Sequence, residues 1–140
     1  SRSVLLITNG AAVNLSNLTF DGSGFDVGIG IQYSGFGTAG TLTNVTIRDI
    51  DFQGDNTAIA LFVSTPDSTG TFTRVDVTNS TISNYGATGI YYALALGTVS
   101  GTTITGQNGG TAETYYGIVV DGQTGTGSVT ITGSTITGNQ

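Results

Sequence analysis

Apolar residues alternate with Thr, Ser or Asp along most of this chain, a period of two that marks strands with one buried face; no window repeats at helical spacing. The alternation itself recurs. Gly28-Ile29-Gly30-Ile31, Ala58-Ile59-Ala60-Leu61, Gly89-Ile90-Tyr91-Tyr92 and Gly117-Ile118-Val119-Val120 align about every 30 residues and define a strand A. Val45-Thr46-Ile47, Val75-Asp76-Val77 and Val129-Thr130-Ile131 define a strand B. Phe52, Ile82 and Ile136, each five residues after the last apolar position of that set, mark a strand C behind a tight corner. Three short strands per repeat leave too little chain for crossover helices. The pattern therefore predicts an all-β parallel solenoid in which each coil hydrogen-bonds to the next. Five coils are expected within a single domain of residues 1–140, starting near 1, 28, 58, 89 and 117. In the first, Val4 to Ile7 form strand A, Val13 and Leu15 strand B, and Leu18 and Phe20 strand C. In the fourth, Gly97 stands where strand B needs an apolar residue, which predicts a bulge or a narrowed cross-section.

The alternation assigns faces. Expected inward are Ile29, Ile31, Ile59, Leu61, Ile90, Tyr92, Ile118 and Val120 from strand A, then Val45, Ile47, Val75, Val77, Val129 and Ile131 from B. Phe20, Phe52, Ile82, Ile104 and Ile136 complete the core from C. The corner before strand C stacks Asn17, Asp49, Asn79, Gly101 and Gly133, which predicts an inward amide ladder satisfying corner backbone. Outward on strand C lie Thr19, Asp51, Thr81, Thr103 and Thr135, then Asp21, Gln53, Ser83, Thr105 and Thr137. Paired Thr columns of this kind are similar to those of ice-binding solenoids, but Asp51 and Asp21 interrupt them, so an ordinary solvated strand face is expected.

Strand A is apolar on both sides. Its outward positions read Gly30, Ala60, Tyr91 and Val119, followed by Gln32, Phe62, Ala93 and Asp121, a pattern that calls for a cover. The inserts Gln32 to Thr41, Phe62 to Thr71 and Thr105 to Tyr116 are candidates for it. Tyr85, Tyr91, Tyr115 and Tyr116 lie on or just before strand A in the last two coils and form the candidate ligand-binding patch. Tyr rings suit sugar rings or a partner protein, and equally an aromatic lid packed by its own loops.

Runs such as Val129-Thr-Ile-Thr-Gly-Ser-Thr-Ile-Thr-Gly-Asn139 and Val75-Asp-Val-Thr-Asn-Ser-Thr-Ile-Ser-Asn84 resemble the repeats of right-handed parallel β-helix proteins, the pectate-lyase-like superfamily. The resemblance covers nearly the whole chain and implies a right-handed parallel β-helix. It says little of function, because that fold carries lyases, hydrolases, tailspikes, autotransporter passengers and adhesins.

Composition then removes chemistry. There is no Cys, His or Lys, since the three basic residues are Arg2, Arg48 and Arg74. Disulfides, zinc-thiolate sites, His-based triads, Schiff bases and Lys-containing phosphate loops are excluded. A net charge of −6 argues against a nucleic-acid partner. No apolar run approaches the roughly 20 residues that cross a bilayer, so no membrane span is expected. The resemblance implies two catalytic sets: paired Asp with His and Lys, which this composition forbids, or calcium-bound Asp with an Arg or Lys base. For the second, Arg48, Arg74 and Asp76 share the outer face of strand B, with Asp49 and Asp51 just beyond, but in that register they read as exposed ion pairs. No catalytic residue, metal site or cofactor is expected. Asn14, Asn17, Asn44 and Asn79 satisfy the glycosylation pattern; Asn17 and Asn79 fall in the inward ladder, leaving Asn14 and Asn44 as acceptor candidates.

The expectation is a non-enzymatic extracellular structural or adhesive module. The chain shows no amphipathic helix, Lys or strand-breaking Pro at either end, which predicts uncapped solenoid ends that stack head to tail into a fibre or continue in a longer surface protein. The alternative is a carbohydrate-binding or lyase-like fragment.

Overall fold

The computed structural model describes residues 3–51, 57–106, 116–122 and 128–139. Phe52, Gln53 and Tyr115, given roles above, lie outside them. The chain is a right-handed parallel β-helix of five coils, and among the described residues it has no helix. Coil one contains β1 (Ser3–Thr8), β2 (Ala12–Ser16) and β3 (Thr19–Asp21); coil two contains β4 (Ile29–Ser34), β5 (Ala39–Thr43) and β6 (Thr46–Ile50). Coil three follows with β7 (Ile59–Ser64), β8 (Arg74–Thr78) and β9 (Thr81–Tyr85). Coil four has β10 (Thr88–Ala93), β11 (Leu96–Ser100) and β12 (Thr103–Thr105), and coil five β13 (Tyr116–Asp121), β14 (Ser128–Thr132) and β15 (Thr135–Thr137). Equivalent strands pair into sheets A (β1-β4-β7-β10-β13), B (β2-β5-β8-β11-β14) and C (β3-β6-β9-β12-β15).

Within this frame the register corrects the sequence reading in two places. On sheet A, Leu5, Ile31, Leu61, Ile90 and Ile118 share one inward column, and Ile7, Tyr33, Val63, Tyr92 and Val120 the next. Ile29 and Ile59 therefore align with Thr88 and Tyr116 rather than with Ile90 and Ile118. Ile29 is buried as expected but stands outside the contiguous core, and Ile59 is only half-buried. The strict alternation also skips a beat, because Ala60 and Leu61 both enter the core. Gly30, Gly89 and Gly117 occupy the equivalent place. A Cβ on each would lie 3.1, 2.8 and 2.3 Å from Ile47, Ile104 and Ile136 of sheet C, so this column faces inward and its residues are small because that stack fills the space.

The second correction concerns coil two. Its strand on sheet B is β5, with Gly40 and Leu42 inward, while Val45 and Ile47 belong to the following corner and to sheet C. Ile47 continues the column of Phe20, Ile82, Ile104 and Ile136. Coil four, by contrast, needs no bulge. β11 pairs without a gap to both β8 and β14, because the Tyr92 ring fills the place of the side chain that Gly97 lacks: a Cβ there would sit 2.7 Å from the ring's Cε1. Tyr33 and Gly40 repeat the arrangement in coil two. In each, the Tyr hydroxyl donates to a sheet-B carbonyl one coil back, Tyr33 to Val13 at 2.8 Å and Tyr92 to Val75 at 2.9 Å. The core thus alternates Tyr opposite Gly with Val63 opposite Val75. Val120, Ile131 and Ile136, placed inward by the sequence, do stand in inward columns of coil five but remain nearly half exposed, with only coil four against them.

Two ladders line the corner between sheets B and C. Asn17, Asn44, Asn79, Gly101 and Gly133 all adopt positive φ between 49° and 56°, the left-handed turn that Asn and Gly tolerate. Asn44, not Asp49, is therefore coil two's member, and the ladder is exposed rather than inward, with Asn44 Nδ2 donating to Asn17 Oδ1 at 2.7 Å. In coils two to four the next residue, Val45, Ser80 or Thr102, is buried, and Ser134 follows in coil five. Ser80 Oγ donates to Thr78 O and accepts from Val45 N; Thr102 Oγ1 donates to Ser100 O and accepts from Ser80 N; Ser134 Oγ donates to Thr132 O and accepts from Thr102 N. These hydroxyls relay backbone pairing through a corner where strands cannot, and among the described residues no buried side-chain N or O lacks a partner.

Candidate functional site

Of the four tyrosines that the sequence singles out, sheet A carries Tyr91 and Tyr116. Leu6, Gln32, Phe62, Tyr91 and Val119 form one column running across all five coils. Phe62 and Tyr91 meet with ring centroids 5.4 Å apart and planes tilted by 40°. The Tyr91 hydroxyl donates to Asp121 Oδ2 at 3.2 Å. Burial first, then the bond to Asp121 and its charge, raise the Tyr91 pKa, so the hydroxyl stays a donor. Tyr116 is exposed on β13, in the column of Ile59 and Thr88, and is not stacked on Tyr91.

Tyr85 does not join this patch. It pairs with Ile50 on sheet C, its ring is fully buried, and its hydroxyl donates to Asn139 Oδ1. Its position just before strand A put it on the surface in the sequence reading; β9, which extends to Tyr85, turns it inward. Phe62 is the partner that Tyr91 has instead. Of the three inserts expected to form a lid, the one from Thr105 to Tyr116 lies outside the described residues over 107–115. The inserts of coils two and three pack on each other, with the Phe36 ring over Gly70 and Gly37 N donating to Thr71 O at 2.8 Å.

Three buried tyrosines give the alkaline side of the stability profile. Burial pushes the Tyr33 hydroxyl up to about 12 and Tyr85 also to about 12, the Asn139 bond opposing the latter; Tyr92 is raised by burial and then by the charge of Asp76. An unfolded Tyr titrates near 10, so the folded state holds these protons more tightly. The stability they contribute is complete below about pH 10 and is lost as pH rises toward 12. Tyrosinate absorbance of these rings is expected to appear together with loss of the β circular dichroism, in one cooperative step. Their ionisation ahead of that loss would show rings open to solvent.

The charged residues do not converge. Arg48 lies on sheet C, 2.9 Å from Asp21 and 3.9 Å from Asp49, whereas Arg74 lies on sheet B, 3.0 Å from Asp76. These are exposed pairs, screened by solvent and of little weight in stability. Asp49 accepts from Asn84 Nδ2, both residues being left-handed corners with φ of 57° and 52°. Among the described residues no three His, Cys, Asp or Glu side chains cluster to hold a metal ion.

The corrected register completes one Thr column. Thr19, Thr46, Thr81, Thr103 and Thr135 run unbroken along sheet C, and none of the five hydroxyls bonds to another group among the described residues. The neighbouring column reads Asp21, Arg48, Ser83, Thr105 and Thr137, so the Asp21–Arg48 pair breaks the two-column array in the first two coils. The same register accounts for the glycosylation triplets. Asn17, Asn44 and Asn79 are left-handed corners and the Thr two residues on is the Thr column, so these triplets are what an amide corner followed by a Thr strand spells. Asn14 is exposed in the middle of β2. A scan against protein-family models, a search of curated proteins and a search of solved structures each return no match.

Proposed function

We propose that this chain is a rigid, non-enzymatic structural or adhesive module of an extracellular surface or fibre protein. One observation carries the reading: all three sheets run through all five coils, and side-chain ladders continue the bonding through the corner between sheets B and C. Such a bonding pattern resists bending and stretching along the axis because each coil is held by many backbone bonds acting in parallel. Further coils, of the same polypeptide or of a second copy, are the partners that fit the outer edges of β1–β3 and β13–β15. The likeness of its repeats to those of the pectate-lyase-like superfamily is compatible with this reading, since that fold carries adhesins and fibres as well as enzymes. The test is to extend the chain between handles by atomic force while incubating a second sample with acidic and neutral polysaccharides. Stepwise unfolding at high force with no new chain ends is the expected result. Appearance of cleaved or unsaturated products would overturn the reading.

The Phe62–Tyr91 pair, flanked by Gln32 and Asp121, favours a second reading, carbohydrate binding without cleavage. Tyr91→Ala and Phe62→Ala are then expected to lose retention on glycan arrays with the β circular dichroism intact. Failure of the parent chain to bind any glycan removes this reading.

A further inference from the structure

We infer that Asn9–Gly10 is a deamidation site, held in check by a hydroxyl of the next coil. Both residues are exposed in the corner between β1 and β2. Gly places no side chain between its own backbone nitrogen and the Asn9 side-chain carbonyl, so attack by that nitrogen is sterically open. In the reaction, hydroxide takes the Gly10 N–H proton and the nitrogen bonds to Asn9 Cγ. The Cγ–Nδ2 bond then breaks, and ammonia leaves with a proton from water. A second water opens the resulting succinimide at either carbonyl, giving Asp or isoaspartate. Water enters, ammonia departs and nothing is oxidised or reduced.

Two features oppose the first step. Gly10 N–H donates to Thr38 Oγ1 at 3.0 Å, and Thr38 Oγ1 gives its own proton to Ser34 O at 3.0 Å. Thr38 is fully buried, so this hydroxyl is held with its lone pair toward Gly10, and removing the amide proton breaks a fixed bond. The turn also restrains the rotation about the Asn9 Cα–C bond that ring closure needs. Asn9 and Gly10 hold φ of 57° and 75° in a turn closed by Ala11 N donating to Thr8 O at 3.2 Å. A Cβ on Gly35 of coil two would lie 3.4 Å from Asn9 N, which shows how closely the turn rests on that coil. Coil two therefore protects coil one chemically as well as mechanically. Fraying of coil one starts a slow clock, and isoaspartate, which inserts an extra carbon into the main chain, fixes the damage at the corner.

The test ages the protein in mildly alkaline buffer and maps the Asn9 peptide by mass and by isoaspartate detection, beside a free peptide of sequence Ile7–Val13. The folded chain is expected to deamidate at Asn9 far more slowly than the peptide. Thr38→Val, which keeps shape and removes the hydroxyl, is expected to speed the reaction about fivefold to tenfold, the kinetic counterpart of one hydrogen bond. Thr38→Ser is expected to stay near the parent rate. Equal rates in folded chain and peptide overturn the inference, as does a Thr38→Val rate equal to the parent or a Thr38→Ser rate equal to Thr38→Val. Hydrogen exchange at Ala11 N–H tells whether Thr38→Val has loosened β1 and β2; if it has, the peptide and Thr38→Ser comparisons decide.

Discussion

Leu61→Asp is expected to abolish cooperative folding, while Ile59→Asp, two residues earlier on the same strand, leaves a folded chain. Leu61 is fully buried between Ile31 and Ile90 in the inward column of sheet A. Among the described residues the contiguous core holds no cation for a carboxylate there, and burying it unpaired costs several kcal/mol. Against a total stability of about 5–15 kcal/mol that is most or all of the margin. Ile59 is half-buried beside Thr88 and outside the contiguous core, so its carboxylate keeps contact with water and the cost stays near 1 kcal/mol. Circular dichroism melts of the two variants settle the matter. Equal losses, or a larger loss for Ile59→Asp, would mean that sheet A is shifted by two residues from the register described. Hydrogen exchange in a milder Leu61→Ala variant is expected to rise first in coils two and four, because each coil supports only its neighbours.

That two-residue ambiguity is also what limited the sequence reading. A period of about 30 residues, alternation and corner residues were enough to make three strands per coil legible. Alternation cannot distinguish a register from the same register shifted by two, since both put the same side chains inward. Ile29 and Ile59 share a sequence pattern with Ile90 and Ile118, yet the small residues that follow them, Gly30 and Ala60, mark where the strict alternation breaks. Coil two slipped for a different reason. Its strand on sheet B places Gly40 inward, so Val45 and Ile47 are the first apolar pair with strand-B spacing, and that pair sets Asp49 at the ladder position that belongs to Asn44. A signal was available: Gly40 and Gly97 each follow a Tyr of strand A by a few residues, and the pairing of Tyr33 and Tyr92 with them across the core explains both. Buried Thr38, Thr73, Ser80 and Thr102 carried no such signal, because in so Thr-rich a chain an inward hydroxyl looks like an outward one. For the candidate site, Tyr91 was legible as an outward residue. Its partnership with Phe62 and the burial of Tyr85 depended on register, which only the pairing of coils supplies.

The Tyr–Gly pairing can be measured directly. In Gly97→Val the new Cβ would stand 2.1 Å from Val75 O and 2.7 Å from the Tyr92 ring, so both backbone and ring must move; overpacking of this kind costs about 3 kcal/mol. Tyr92→Val removes a fully buried ring and the hydroxyl that donates to Val75 O, leaving a cavity and losing that hydrogen bond at a similar cost of about 3 kcal/mol. The double variant places Val opposite Val, the arrangement that Val63 and Val75 already form in coil three. The added methyls occupy part of the space the ring vacates, so the double variant is expected to be about 2 kcal/mol more stable than the sum of the single losses predicts. Recovery is partial because the approach of residue 97 to Val75 O is a backbone contact that removing the ring does not relieve. Urea unfolding of the parent, both single variants and the double variant gives the coupling energy. Strictly additive losses would mean that the ring and the glycine do not share the space between sheets A and B, and the alternation of Tyr–Gly with Val–Val coils would then have no energetic content.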